Sequence, residues 1–466
     1  MLSSRRATVA HRLGLSAILE QRPTREQRRN ITGLAFPIIG AMASQNLVNL
    51  ADTAMVGSLG DKALAAVGIG SFVSFVAVAF LMGMSAGVQA MSARWRGAGH
   101  AGRIAVPLNG GLLMAAVIGL PLSAALVAAT PKFLAALAPD PEVAALGTQY
   151  LQVRLLSIAA VGMNFCFRGY WNAVNMSRLY MATLVAMHVV GIAINWTLLF
   201  GHFGFPALGV RGAGFGTMAS MWVGTGVYVL LAWRYGRREG FLSQLPSRSA
   251  MRSMLAISLP SGLQQLLFAA GMLALFAILA RVGTAEVAAA NVLVNVTLVA
   301  ILPSIGFGLA AATLVGHALG ARQPDEAWAW AWRVSGVAAT LVGLLALPAV
   351  LAPELVLMPF LHDPATRELA AWPLRVAALT APLECVSAVL QNAHLGAGSS
   401  RTVLAVSVGT QWALFLPLAW ALGPGMGFGL LAIWNAQVAC RILALVMLVR
   451  SWQAKAWMQA QAGAAS

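Results

Sequence analysis

The chain has 466 residues, of which 59% are hydrophobic and only 9% are charged. Soluble domains carry about 25% charged residues because their surface faces water, so this composition excludes a water-soluble globular protein and predicts a chain surrounded by lipid. The formal net charge of +16 is compatible with nucleic-acid binding, but the placement of the basic residues argues against that function.

Twelve apolar segments follow one another along the chain, each long enough to cross a bilayer, for which about 20 residues suffice. The separators between them are short and carry most of the charged and turn residues. The sequence therefore predicts an all-α polytopic membrane protein with twelve transmembrane helices. The predicted spans lie near residues 34–57, 66–92, 104–130, 147–172, 179–202, 213–236, 255–282, 287–315, 332–352, 372–397, 402–424 and 427–449.

The distribution of basic residues predicts the orientation in the membrane. With a cytoplasmic N-terminus, 22 of the 30 Lys and Arg residues lie inside (7 in the N-terminal tail plus 15 in loops and at the C-terminal end), and 6 lie outside. The two others, Arg154 and Arg441, fall within spans or at their ends, and we expect them to extend toward an interface. This excess follows the positive-inside rule and predicts an inner-membrane protein with both termini in the cytoplasm.

The chain repeats itself at a shift of 223 residues, which aligns Pro37 with Pro260 and Gly83 with Gly306. Each half contains an even number of spans, so the halves are predicted to be parallel repeats related by an axis along the membrane normal. The first 30 residues lack the apolar core and cleavage site of a signal peptide, which indicates a cytoplasmic tail or interfacial helix. The predicted organisation is a tail (1–30), a six-helix bundle (31–238), a linker (239–252), a second, pseudo-symmetric six-helix bundle (253–452) and a C-terminal tail (453–466).

Two acidic residues remain inside predicted spans, Asp52 in the first and Glu384 in the tenth. An ionised carboxylate costs about 2.5–3.5 kcal/mol at the centre of a spanning helix, so its presence needs a reason. One interpretation is that each acid hydrogen-bonds a neighbouring helix, and the other is that it faces a polar cavity and exchanges a proton or a metal cation. For Asp52 the second is favoured, because Gln45, Asn49 and Asp52 lie along one stripe of the helix.

Other polar groups in the spans are equally consistent with lining a cavity and with joining helices. These are the amides Asn195, Gln264, Gln265, Asn291 and Asn295. A lone histidine, His188, is predicted to be packed and hydrogen-bonded rather than to carry protons. There is neither a GxxxxGK[ST] phosphate loop nor an HExxH motif, so we expect no enzymatic activity and no cofactor, and an ion gradient as the energy source.

The segment from Pro37 to Gly60, with its phrase ADTAMVGSLG, resembles the first helix of the multidrug and toxic compound extrusion (MATE) family. The phrases Asn195–Gly214 and Val315–Ala321 are also similar to that family. The resemblance implies two bundles around a central cavity, in a monomer that exports cationic, amphipathic compounds against a proton or sodium gradient. It implies that Asp52 is the family's first-helix aspartate, Asn195 a fifth-helix Asn or Asp, and Glu384 the tenth-helix acid.

One position departs from the NorM-like branch of that family. The branch has a glutamate eight residues after the seventh-helix proline, where this chain has Phe268. The resemblance therefore favours protons over sodium; with sodium, Asp52 and Glu384 would be the metal ligands. A lipid-linked sugar flippase is the alternative, although it would need several Arg or Lys in the spans. An intramembrane enzyme is a remote second, since no paired catalytic groups are evident.

Overall fold

Long helices make up nearly all of the described part of the protein, a computed structural model that covers residues 15–361 and 364–458. In these residues eleven helices are long and apolar enough to cross a membrane, and a pair bent by 48°, Pro141–Leu155 with Ile158–Ala173, brings the count to twelve when it is taken as one span. Within these residues there is no strand. The predicted all-α architecture with twelve spans is thus confirmed.

The helices are, in chain order, α1 (Leu15–Glu20), α2 (Arg25–Gly57), α3 (Asp61–Gly97), α4 (Val106–Leu137), α5 (Pro141–Leu155), α6 (Ile158–Ala173), α7 (Ser177–Phe200), α8 (Val210–Tyr235), α9 (Arg248–Ala280), α10 (Thr284–Gly320), α11 (Pro324–Leu351), α12 (Pro353–Leu357), α13 (Pro364–Gly396), α14 (Ser400–Val408), α15 (Leu416–Trp420) and α16 (Gly429–Gln453). The eleventh span combines α14 and α15 with π-helical turns at Gly409–Phe415 and Ala421–Gly425.

Local sequence explains where many of these helices begin and end. α5, α11 and α13 begin with a proline, whose fixed φ suits the first turn and whose missing N–H is not needed there. Before α5, Asp140 Oδ1 accepts the backbone N–H of Glu142 at 2.8 Å and caps the helix. α7 is followed by Gly201, which adopts a left-handed conformation with φ of 78° and terminates the helix. Inside a bilayer such complete helices are required, because lipid offers no partner to backbone N–H and C=O groups.

The helices form two compact units. The N-terminal unit comprises Gly40–Gly262, and the C-terminal unit comprises the described residues up to Ile39 and from Leu263 onward. The boundaries lie inside α2 and α9, just after Pro37 and Pro260, where each helix lacks a backbone hydrogen bond. The sequence predicted boundaries between helices instead, whereas here the first part of each of these helices packs with the other repeat.

The internal repeat reappears in how these helix segments pack. In the N-terminal unit, a Cβ placed on Gly83 of α3 would stand 2.2 Å from the backbone nitrogen of Gly262 in α9. In the C-terminal unit, a Cβ on Gly306 of α10 would stand 2.4 Å from Ile39 Cγ1 in α2. These are the same two positions of the repeat, since 83 + 223 = 306 and 39 + 223 = 262. The predicted repeat is therefore also a repeat of close helix contacts.

Each unit has its own buried core. In the N-terminal unit the rings of Phe167 and Tyr228 stack at 5.3 Å. In the C-terminal unit Trp332 and Trp452 are fully buried in a cluster that also includes Ala17. The short helix α1 thus packs against α11, in the region where the sequence predicted a tail or interfacial helix; residues 1–14 of that tail lie outside the described residues.

Candidate ion-coupling site

The carboxylate of Asp52 receives a hydrogen bond from a neighbouring helix. Asp52 lies in α2, five residues before the helix ends at Gly57, and Asn195 lies in α7. Asn195 Nδ2 donates to Asp52 Oδ1 at 2.8 Å, and Asn195 itself is buried. Burying a carboxylate without partners is costly, so this bond holds the acid inside a span. The structure therefore joins two residues that the sequence singled out separately.

A glycine makes room for the Asn195 side chain. A Cβ on Gly216 of α8 would stand 1.8 Å from Asn195 Oδ1 and 2.8 Å from the Asn195 backbone nitrogen. The amide of Asn195 thus fills the space that a side chain at position 216 would take. Among the described residues, no donor reaches the buried Asn195 Oδ1, so the hydrogen bond to Asp52 is the main polar restraint on this amide.

The rest of the predicted stripe on α2 also meets α7. His188 bonds Gln45 Oε1 through Nε2 and Ser44 Oγ through Nδ1, both at 3.0 Å. Because an amide oxygen only accepts, His188 Nε2 carries the proton in this bond. Gln45 Nε2 in turn donates to Asn49 Oδ1 at 3.2 Å. The prediction that His188 is packed and hydrogen-bonded is confirmed.

The two contacts between α2 and α7 share one spacing. Gln45 pairs with His188 and Asp52 pairs with Asn195, and the partners are 143 residues apart in both pairs. Within each helix the two positions are seven residues apart, which is close to two turns. The helices therefore run parallel, with their polar residues in register along one shared face.

A second charge lies near this face. Arg154, at the end of α5, donates from Nε to Ser74 Oγ at 3.1 Å and also contacts the Tyr150 hydroxyl. Its positive charge attracts the Asp52 carboxylate through space. The sequence predicted that Arg154 extends toward an interface, whereas its guanidinium is held by hydroxyl groups of the N-terminal unit. These contacts could not be predicted from the sequence, because a single arginine at the end of a span does not indicate its partners.

The second intramembrane acid has an arginine partner. Glu384 of α13 forms an ion pair with Arg441 of α16 through Oε2 and Nη1. Arg441 is twelve residues from each end of α16, and so about 18 Å from either end. The expectation that Arg441 extends toward an interface is wrong, because its guanidinium is engaged at the middle of the helix. The Glu384 carboxylate is thus neutralised within the C-terminal unit.

The other predicted cavity residues are placed separately. Asn295 Nδ2 donates to Asn291 Oδ1 at 2.8 Å, so this pair is bonded within α10. Gln264 is half-buried in α9. With Glu384 they belong to the C-terminal unit, while Gln45, Asn49, Asp52 and Asn195 belong to the N-terminal unit. In the described part of the chain no group of three or more His, Cys, Asp or Glu side chains could hold a metal ion.

Comparison with known proteins identifies the family. The sequence model of the MatE family matches the chain twice, over residues 37–197 and 260–421. The two matches begin 223 residues apart (260 − 37), which is the offset at which the sequence aligns with itself. Together they cover more than half of the chain. The chain belongs to the MatE family.

Relatives and solved structures agree with this assignment. A probable multidrug resistance protein NorM of Bradyrhizobium diazoefficiens is 30% identical over 420 residues, which is 86% of this chain and 88% of the relative. The multidrug resistance protein NorM of Burkholderia vietnamiensis is 27% identical over 433 residues, or 90% and 92% of the two chains. An outward-facing multidrug resistance MATE family transporter of the MOP superfamily has the same fold, with a TM-score of 0.84 at 20% identity over 94% of this chain and 97% of its own. This MatE protein is a multi-pass membrane transporter and not an enzyme, as the sequence predicted.

Proposed function

We propose that this MatE protein is a secondary active multidrug efflux antiporter that exports organic cations or amphipathic toxins in exchange for protons. The observation that carries the proposal is Asp52, an acid inside a span that is hydrogen-bonded by Asn195 and continues a polar stripe on α2. The names of the NorM relatives support export of drugs. Asp52 is the principal ion-coupling group.

The geometry suggests how a proton would act at Asp52. The ionised carboxylate accepts the Asn195 N–H and is attracted by Arg154. Protonation removes the charge, and a hydrogen bond to a neutral acceptor is about half as strong as one to a charged acceptor. The contact between α2 and α7 then weakens, which favours a rearrangement of the Gln45–Asn49 stripe and release of substrate to the periplasm. Loss of the proton to the cytoplasm restores the starting state.

Glu384 has a secondary part in this proposal. It supplies a second negative charge for a cation or for the positive end of a substrate, but the Arg441 guanidinium already occupies its carboxylate. A cationic ligand would have to compete with that tethered charge. Ion coupling is therefore assigned mainly to the N-terminal unit.

We further propose a monomer in the bacterial inner membrane with both termini in the cytoplasm. The support is the excess of Lys and Arg, 22 inside against 6 outside, since short loops rich in these residues stay cytoplasmic. A fluorescent protein that folds only in the cytoplasm, fused after Ser466, should fluoresce. A dark fusion at normal expression would place that terminus outside.

The central test follows efflux of a fluorescent organic cation from proteoliposomes under a proton gradient or a sodium gradient, imposed separately. We expect a proton gradient to drive efflux by the wild-type protein, and Asp52→Asn to lose at least about tenfold in rate, a change of 1.4 kcal/mol in the barrier. Asp61→Asn is the matched control, because Asp61 is an exposed acid in the first turn of α3. Normal proton-driven efflux by Asp52→Asn would refute the coupling role of Asp52. Efflux driven by sodium alone would refute proton coupling and leave the transporter assignment standing.

A further inference from the structure

Arg441 supplies the positive charge that the intramembrane carboxylate of Glu384 requires. Both residues are at least twelve residues from the nearer end of their helices (396 − 384 = 12 for Glu384, and 453 − 441 = 12 for Arg441). α13 and α16 pack against each other, and the pair joins them. A carboxylate at this depth is stable only with a positive partner or a proton. Here that partner is built into the chain.

The surroundings of the carboxylate offer little else to a metal ion. Besides Glu384 and Arg441, the small cleft is lined by Thr380, Leu383, Val438, Ile442 and Leu445. Apart from the ion pair, Thr380 has the only polar side chain in this lining, and its hydroxyl donates to the carbonyl of Val376 at 2.9 Å. Hard cations in proteins are held by several oxygen ligands, and sites for them are rich in carboxylates and carbonyls. An arginine, by contrast, can pair with a single carboxylate through a charge-assisted hydrogen bond, as Arg441 Nη1 does with Glu384 Oε2.

The charge balance leads to the same conclusion. Glu384 and Arg441 together are neutral, so binding an additional cation would leave a net positive charge inside the membrane-spanning part. Desolvating an uncompensated ion is expensive, while an arginine tethered beside its partner loses little freedom on pairing. A soluble cation therefore competes poorly with this guanidinium.

We propose that Arg441 determines ion specificity: its guanidinium serves as a tethered cation that closes Glu384 to alkali-metal ions. The C-terminal unit then works without a bound metal ion, and transport is insensitive to sodium. This statement about transport rests on the proposed antiport, whereas the statement about binding does not. Replacing Arg441 by a neutral residue leaves Glu384 unpaired and turns it into a group that takes up sodium.

The test measures sodium binding directly on purified, full-length protein, by retention of radioactive sodium and by the shift of Tm when sodium chloride replaces choline chloride at constant ionic strength. We expect no sodium-dependent shift for the wild type or for Arg441→Lys, which keeps the positive charge. Arg441→Gln should gain roughly tenfold in sodium retention over the wild type, with a Tm that rises as sodium is added. The double variant with Glu384→Gln should lose this gain. Arg450→Gln is the matched control, because it removes an exposed arginine from the last turn of the same helix.

Two outcomes would overturn the proposal. One is sodium binding by the wild type at the level of Arg441→Gln, and the other is a folded Arg441→Gln that gains no sodium binding. If Arg441→Gln is not recovered as a monodisperse protein, the wild type and Arg441→Lys still decide, since binding by either contradicts a tethered cation. The efflux assay in proteoliposomes described under the proposed function separates this proposal from the antiport mechanism. Failure of proton-driven efflux with the sodium pattern intact would refute the proposed function and leave the role of Arg441 standing.

Discussion

Replacement of Gly216 by alanine is the most direct test of how Asp52 is positioned. The new methyl group would stand 1.8 Å from Asn195 Oδ1, far inside any van der Waals contact. Asn195 must then rotate away, or α7 and α8 must separate. In either event Asn195 Nδ2 moves from its position 2.8 Å from Asp52 Oδ1. The substitution thus acts on Asp52 without altering an ionisable or hydrogen-bonding side chain.

The size of the effect can be estimated from competing contributions. Alanine in place of a helical glycine gains about 1 kcal/mol from helix propensity. Forcing a methyl group into a packed interface costs about 1–3 kcal/mol. Hydrogen bonds between membrane helices contribute about 0.6 kcal/mol on average. The steric cost and the lost hydrogen bond act in the same direction and together outweigh the gain in helix propensity, so we expect Gly216→Ala to lower stability by about 1–2 kcal/mol. The lost bond should also reduce efflux several-fold.

The assay combines thermal unfolding in detergent with proton-driven efflux in proteoliposomes. Gly226→Ala is the matched control, because Gly226 lies on the same helix and nothing is within 4 Å of a Cβ placed there. It should be as stable as the wild type or more so, with unchanged efflux. A double-mutant cycle isolates the contact: Gly216→Ala should cost less in an Asn195→Ala background, because the clash with Oδ1 is gone. Additive effects, or a Gly216→Ala variant that matches Gly226→Ala, would refute the steric reasoning.

Two further predictions concern packing and a helix cap. Gly83→Ala should lower the Tm more than Gly306→Ala, because the first methyl meets the backbone of Gly262 and the second meets chiefly the Ile39 side chain. Thermal unfolding of both variants checks this, and equal losses would contradict it. At Asp140, the backbone N–H of Glu142 is the main cause that lowers the pKa of the carboxyl. A lowered pKa means that this contribution to stability is present above the usual Asp value and is lost as pH falls through the lowered one. Asp140→Asn should keep the cap but lose the fall in Tm that the wild type shows as the Asp140 carboxyl becomes protonated. Asp140→Ala should have a lower Tm at neutral pH. A dependence of Tm on pH that is unchanged in Asp140→Asn would contradict the assignment.

The sequence was sufficient for features that depend on composition and local periodicity. Twelve spans follow from hydropathy, and the stripe of Gln45, Asn49 and Asp52 follows from the helical period, because both are properties of neighbouring residues. Asn195 is notable in the sequence as an amide inside a span and as a match to a family position, and the structure adds that it donates to Asp52. The parallel register of α2 and α7 could not be predicted, since it depends on how helices far apart in the chain pack.

The features missed at the sequence level all involve pairing across helices. Glu384 and Arg441 are 57 residues apart, and neither position carries a pattern that points to the other. The same holds for Gly216, which is notable only because Asn195 fills the space beside it. A glycine in an apolar helix has several explanations, and the sequence offers no means of choosing among them.

The internal repeat makes the difference between the two units informative. The contact between His188 and Gln45 recurs at the equivalent positions of the second repeat, where Gln411 Nε2 donates to the carbonyl of Phe268 at 3.4 Å, again across 143 residues. The geometry of the helix pair is thus retained while its chemistry is not, since Asp52 is replaced at its equivalent position by Leu275 (52 + 223).

The intramembrane charges of the C-terminal unit are likewise present in only one of the two repeats. Subtracting 223 from Glu384 and Arg441 gives Val161 and Met218, so the ion pair has no counterpart in the first repeat. If both units bound the coupling ion, equivalent positions would be expected to carry similar groups. Instead one unit holds a carboxylate that is hydrogen-bonded by a neutral amide, and the other holds a carboxylate in a direct ion pair with arginine. This asymmetry within a symmetric scaffold supports the proposal that proton exchange takes place at Asp52, while Glu384 is paired with Arg441.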